Sequence, residues 1–175
     1  MSPARAHALT PRGKALRWCT KHRGITEQPA GSNTDDRKDG IRAAQLRIGS
    51  WVVRAPWCGT WCFSALQAAG VRNLTGRMAS VAMIEDDARA HRHCYRGWTR
   101  DHRHVLRGDL VVLFGRGVHV ELVRKVFPLR GYVLTDGGNT SPGSGGSQAN
   151  GGGSFMRKRP LSAVHGFALI DYPNQ

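Results

Sequence analysis

The chain has 175 residues, 40% of them hydrophobic, with 26 Lys and Arg against 12 Asp and Glu, a net charge of +14. That length suits one core and leaves little room for a second, so a single domain over 1–175 is expected. No apolar run reaches the ~18 residues of a membrane span, and the basic stretch Met1 to Leu9 lacks the apolar region of a secretory signal.

In chain order, Thr10 and Pro11 read as the N-cap and first residue of a helix that ends near Gly24. This forms an N-terminal helical region over 1–24. Arg37 to Leu46 reads as a second helix. Pro56 opens a third. Trp57, Cys58, Trp61, Cys62, Ala65, Leu66 and Ala69 share its apolar face, and Gly70 stands where a left-handed C-terminal cap is expected. Ser80 to His93 reads as a fourth helix, with Ala82, Met83 and Ala90 as buried candidates. The histidine-rich segment 91–104 reads as a solvated, partly helical surface.

Strands follow. Gly108 to Phe114 reads as a buried strand, and Gly115-Arg116-Gly117 as a tight connection. Val118 to Val126 alternates as the next strand. His119, Glu121, Val123 and Lys125 fall on one face, and Val118, Val120, Leu122, Arg124 and Val126 on the other. Tyr132 to Asp136 is a third strand. It runs into Gly137-Gly138-Asn139-Thr140 and a Gly/Ser-rich stretch, Gly137 to Ser154, expected as a long mobile loop. Ser154 to Arg159 and Val164 to Asp171 read as the last two strands. Helices followed by strands define an α+β class.

Chemistry concentrates at Cys58. A thiol in the first turn of a helix meets unpaired N–H groups and the positive end of the dipole, which favour its thiolate. His119 follows as a candidate base, and a later polar residue can orient it. Asn139 is the preferred orienter, with Glu121 and Asp136 as replacements. Cys62, one turn deeper on the same face, reads as a packed core thiol. Cys19 and Cys94 read as inert. No disulfide framework is expected in a chain of this length without a signal.

The segments in this order resemble the CHAP group of cysteine amidohydrolases and peptidases, within the papain-like NlpC/P60 class. Glu27-Gln28-Pro29-Ala30-Gly31-Ser32-Asn33 is similar to the group's Glu-x-Pro-x-x-Ser-Asn element. Pro56-Trp57-Cys58-Gly59-Thr60-Trp61 is similar to its nucleophile helix. Gly108-Asp109, Val118-His119-Val120 and Gly138-Asn139-Thr140 match its core strand, histidine strand and Gly-Asn element. The resemblance spans 25–172.

It departs in two places. Gly137 stands where the group often has Glu before Gly-Asn, and Val120 stands where its histidine is often followed by glycine. Asp136 is one residue away from the missing carboxylate, a shift that turns a strand side chain to the other face.

The resemblance implies a papain-like fold with N-terminal helices on a small antiparallel sheet. It implies a peptidoglycan hydrolase that cuts an amide bond through Cys58, His119 and Asn139, as an N-acetylmuramoyl-L-alanine amidase or an endopeptidase. Trp57, Glu27 and Asn33 would border the substrate. No cofactor and no metal are expected. The spacing of His91, His93, Cys94, His102 and His104 is not that of a structural zinc site, and the intervening arginines repel cations.

A phage endolysin made in the host cytoplasm and released onto the wall, or a virion-associated lysin, fits the lack of a signal. The net charge suits anionic wall polymers. Specific nucleic-acid binding is not expected, because the positive residues are scattered except for Arg157-Lys158-Arg159 and no recognition motif is present. A monomer is expected. The alternatives are an inactive basic wall- or virion-binding protein of the same fold, and a cysteine amidohydrolase acting on a non-wall amide.

Overall fold

The computed structural model describes residues 10–143 and 146–173. The expectations that concern 1–9, part of the Gly/Ser-rich stretch at 144–145 and the last two residues lie outside the described residues. Four α-helices are present among the described residues: α1 (Pro11–Lys21), α2 (Ile41–Leu46), α3 (Cys58–Ala68) and α4 (Val81–Arg89). The strands are β1 (Tyr95–Thr99), β2 (Leu110–Leu113), β3 (His119–Phe127), β4 (Tyr132–Thr140), β5 (Gly153–Pro160) and β6 (Val164–Ile170). They form one six-stranded sheet in the order β1-β6-β2-β3-β4-β5, every pairing antiparallel. The architecture is α+β.

Local chemistry explains the helix ends. Thr10 Oγ1 accepts from Gly13 N at 3.2 Å, so α1 begins at Pro11 as its sequence implies. Ser80 accepts from Met83 N and caps α4 in the same way. The second helix is shorter than Arg37 to Leu46. It starts only after Gly40, whose missing Cβ leaves room for the Asp35 carboxylate. Pro56 lies just before α3 rather than in it, because Trp57 is the N-cap and Cys58 the first helical residue. Gly70 takes φ +77° and ends α3 in the left-handed conformation.

Two layers of apolar residues sandwich the sheet. On one side α1, α3 and α4 contribute Ala15, Leu16, Cys62, Leu66, Ile84 and Ala88 against Leu110, Val112, Val120, Leu122, Ala168 and Ile170. On the other side Val111, Leu113, Val123, Val133, Phe167 and Leu169 pack together. The buried face of α4 is Val81, Ile84 and Ala88, whereas Met83 and Ala90 are exposed. Helical spacing from Val81 selects this face, and the expected trio straddled two faces.

Alternation along β3 holds as far as Val123 and then slips. A bulge between Val123 and Lys125 moves Val126 into the same cluster as Val123, opposite to Val120 and Leu122. Strand β1 occupies part of the segment read as a solvated, partly helical surface. It is a short edge strand with its own irregularity at Arg96, and its five residues give too little alternation to stand out. Strand β4 runs through Gly137-Gly138-Asn139, and of the described residues in this stretch only 141–143 and 146–152 lie outside the strands.

The Gly108-Asp109 pair has a structural task. Gly108 has φ +89° and stands where a Cβ would meet the Tyr172 hydroxyl at 2.7 Å. The buried Asp109 carboxylate accepts from Arg12 at 2.9 Å, Leu106 N at 2.9 Å and Ile170 N at 3.1 Å. One side chain thereby ties α1, β2 and β6 together.

Candidate active site

Helix α3 packs beside β3 and β4. Its first turn must approach other backbone closely, since a Cβ at Gly59 would lie 2.0 Å from the Met78 carbonyl oxygen. The Glu27 to Asn33 segment holds this end of the helix. Glu27 Oε1 accepts from Trp57 Nε1 at 2.9 Å, Glu27 N donates to Gly152 O at 2.8 Å, and the Asn33 carbonyl accepts from Gln45 Nε2 at 3.0 Å.

Trp57 is fully buried, packed edge-on against Trp61, and Glu27 is buried as its partner. Neither borders open space, which corrects their expected place at a substrate surface: the indole N–H needs a buried acceptor, and Glu27 supplies it. Asn33 is partly exposed, and its backbone contact anchors the loop.

Cys58 and His119 lie near enough for each to shift the other's ionisation. All four cysteines are free and buried. Burial pushes the thiols of Cys19 and Cys62 well above their usual range, and that of Cys94 up to about 12. Cys58 goes the other way. Burial raises its pKa, but a hydrogen-bonding interaction with His119, the imidazolium charge, and backbone contacts at Val120 and Gly59 outweigh it and lower the thiol. His119 is opposed by burial yet raised to about 9 by Cys58 and Glu121. Thiol and imidazole thus favour the thiolate–imidazolium form.

The orienter is where the expectation fails. His119 Nε2 lies 3.1 Å from Glu121 Oε1, and both side chains are completely buried. An ionised carboxylate only accepts, so Nε2 carries a proton and Nδ1 is the nitrogen left for the thiol. Nδ1 has no aligned hydrogen-bond partner, and catalytic pairs often tighten only around substrate.

The Asn139 side chain instead donates through Nδ2 to Asn150 Oδ1 at 3.0 Å, and its Oδ1 is buried without a partner. Asp136 faces elsewhere, paired with Arg23 at 2.8 Å and with Arg124. Of the three candidates, Glu121 holds the imidazole. The physical reason is the period of the strand: two residues apart on β3, His119 and Glu121 point the same way.

Gly137 shows why this carboxylate fits. A Cβ there would lie 2.3 Å from Glu121 Oε1, so the glycine leaves the space that Glu121 fills. A Cβ at Gly138 would lie 2.6 Å from Trp57 and 2.7 Å from Trp61. Gly137→Ala is expected to push Glu121 off His119, to slow Cys58 alkylation at neutral pH, and to cost roughly 1–3 kcal/mol of stability by overpacking. A urea titration and an alkylation time course check both effects.

Sequence reasoning missed three contributors. Thr135 Oγ1 donates to Glu121 Oε2 at 2.5 Å. Arg159 bonds the same carboxylate through Nε at 3.0 Å and through Nη2. Phe114, exposed and with φ +64°, stands 6.3 Å from the His119 ring and 5.6 Å from the Arg159 guanidinium. A readable signal existed for Arg159. On a strand, Arg159 and Lys158 point to opposite faces, so a basic run there need not be a solvated one.

Among the described residues no group of three or more His, Cys, Asp or Glu is placed to hold a metal ion, and no helix is long and apolar enough to cross a membrane. Comparison with known proteins finds no match: no family model, no curated protein and no solved structure matches this chain.

Proposed function

We propose that this protein is a cysteine amide hydrolase of papain-like, CHAP type, acting on peptidoglycan, with Cys58 as nucleophile, His119 as acid and base, and Glu121 as the residue that positions the imidazole. The carrying observation is that Cys58 is the one cysteine of the four whose pKa falls, and that it meets a histidine backed by a buried carboxylate.

The thiolate attacks the amide carbonyl, and the carbonyl electron pair moves to oxygen. Unpaired N–H groups in the first turn of α3 are suited to stabilise that oxyanion. The tetrahedral intermediate collapses, the C–N bond breaks, and the imidazolium gives its Nδ1 proton to the leaving amine. A thioester remains. Neutral His119 then takes a proton from water, the hydroxide displaces the thiolate, and the acid product leaves. Glu121 stays ionised throughout and pairs with the imidazolium at each stage where it forms.

The test is digestion of purified peptidoglycan with mass spectrometry of the new ends. A free N-terminal alanine indicates an amidase, and an end within the stem or bridge indicates an endopeptidase. Intact peptidoglycan together with cleavage of a small amide or isopeptide would move the reading to a non-wall substrate. Neither cleavage would favour an inactive binding protein.

Charge supports the wall as partner. The net charge of +14 includes a groove lined by Arg103, Arg107, Arg124 and Lys125. Exposed charge is screened over ~8 Å at physiological ionic strength. Pelleting with cell walls is therefore expected to weaken steeply as salt rises, while turnover of a small soluble muropeptide changes much less. Salt-independent pelleting would point to a specific recognition site instead.

A further inference from the structure

Arg159 is almost completely buried near the C-terminal end of β5, beneath the exposed ring of Phe114. Its guanidinium makes a two-pronged contact with Glu121, through Nε to Oε2 at 3.0 Å and Nη2 to Oε1. Nη2 also donates to Thr140 Oγ1 at 2.8 Å, and Nη1 to Gln148 Oε1 at 2.8 Å. The fork therefore grips the carboxylate on one side and the 141–152 loop on the other. A fork of this shape fixes both position and ionisation of a carboxylate, which a single point charge does not.

We propose that Arg159 is a positioning residue of the thiol site: it holds Glu121 ionised and aimed at His119 Nε2, and through that carboxylate it keeps Cys58 in its nucleophilic form. The proposal rests on the assignment of Cys58 and His119 as the reacting pair.

Charge counting carries the argument. Four buried groups meet here: Cys58 on α3, His119 and Glu121 on β3, and Arg159 on β5. With the thiolate and imidazolium formed, two anions balance two cations. Removing Arg159 leaves an unbalanced negative charge in a buried site, which is costly. The site then takes up a proton, and the thiolate is the most basic anion present.

Neighbouring groups do not replace Arg159. Cys62 on α3 is held neutral by burial. Asp136 on β4 is an anion already paired with Arg23 and Arg124. Arg157 on β5 is directed to Gly143 O and Gln148 Oε1. Glu121 agrees with this reading: burial would raise its carboxyl, but His119 and Arg159 lower it to about 2.

The experiment is the pH–rate profile of alkylation by iodoacetamide, with Cys58→Ser defining the background from the other three thiols. Arg159→Met should move the acid limb to higher pH by about one unit, a ~tenfold loss of rate at a pH on that limb. Arg159→Lys should recover part of that loss. The double variant Arg159→Met, Glu121→Gln removes one cation and one anion, so its acid limb should return towards that of the wild type. A residue that served only packing would leave the double variant no better than the single one.

An Arg159→Met profile that overlays the wild type overturns the proposal, as does a double variant whose acid limb stays where Arg159→Met puts it. Should Arg159→Met fail to fold, the double variant and Arg159→Lys decide it: an acid limb raised in the double variant, or unmoved in Arg159→Lys, overturns it. Alkylation needs no wall substrate. A protein that shows this pattern but cuts no peptidoglycan defeats the proposed function alone. A wild type whose Cys58 reacts no faster than the background defeats the site itself.

Discussion

Cys58→Ser is expected to abolish amide cleavage while leaving the fold intact, and Cys62→Ala to retain substantial activity with lower stability. The two thiols lie one turn apart on the same face of α3, and both are buried. Sequence spacing alone separates them only by depth in the helix. Electrostatics separates them further. Cys58 gains from His119 and from backbone contacts at Gly59 and Val120, and its pKa falls.

Cys62 has no such partner. Its contact is the Val120 carbonyl at 3.9 Å, an acceptor, and burial raises its pKa well above normal. A serine at 58 keeps the size of the side chain, but its hydroxyl is far less acidic than a thiol, so the pair with His119 no longer ionises. An alanine at 62 removes one buried sulfur and leaves a small void, at about 1 kcal/mol or somewhat more. Lysis of purified walls and a urea titration of each variant check these outcomes. An active Cys58→Ser together with a folded but inactive Cys62→Ala would reverse the assignment.

What the sequence made legible is what periodicity and single-residue chemistry can carry. Helix α3 with its thiol at the start, the Gly70 cap, the Thr10 cap of α1 and the first half of β3 all follow from local rules. The orienting residue did not follow, because it depends on which strands lie side by side. Gly137 reads in isolation as a carboxylate lost from β4. Beside β3, it is the space that admits the carboxylate of Glu121.

Arg159 was hidden for a related reason. Within Arg157-Lys158-Arg159 it reads as one charge of a basic run, but the strand turns Lys158 out and Arg159 in. A completely buried glutamate needs a cation, and that demand could only be matched to Arg159 once β5 was paired to β4 and β4 to β3. The bulge after Val123 and the short edge strand β1 escaped because neither leaves a period in the sequence.

Glu121→Gln should move the alkaline limb of activity to lower pH, whereas Asn139→Ala should leave that limb in place. His119 holds its proton up to about 9, and Glu121 is one of the two partners that raise it. Glutamine keeps the length and can still accept from Nε2–H through its amide oxygen. It cannot offset a positive charge. The imidazolium then faces the Arg159 guanidinium across a neutral amide, which favours loss of its proton.

The sign for stability follows from the same pair. A histidine whose folded pKa is raised from about 6.5 adds stability that is complete below that value. The contribution is lost as pH rises through about 9. The stability gap between wild type and Glu121→Gln should therefore narrow as alkaline pH is approached. Asn139 bonds Asn150 rather than the imidazole, so Asn139→Ala should loosen the 141–152 loop without moving the limb. Paired measurements of kcat/KM against pH and of urea stability at neutral and alkaline pH test this. An alkaline limb that falls in Asn139→Ala and stays put in Glu121→Gln would restore the asparagine as the orienting residue.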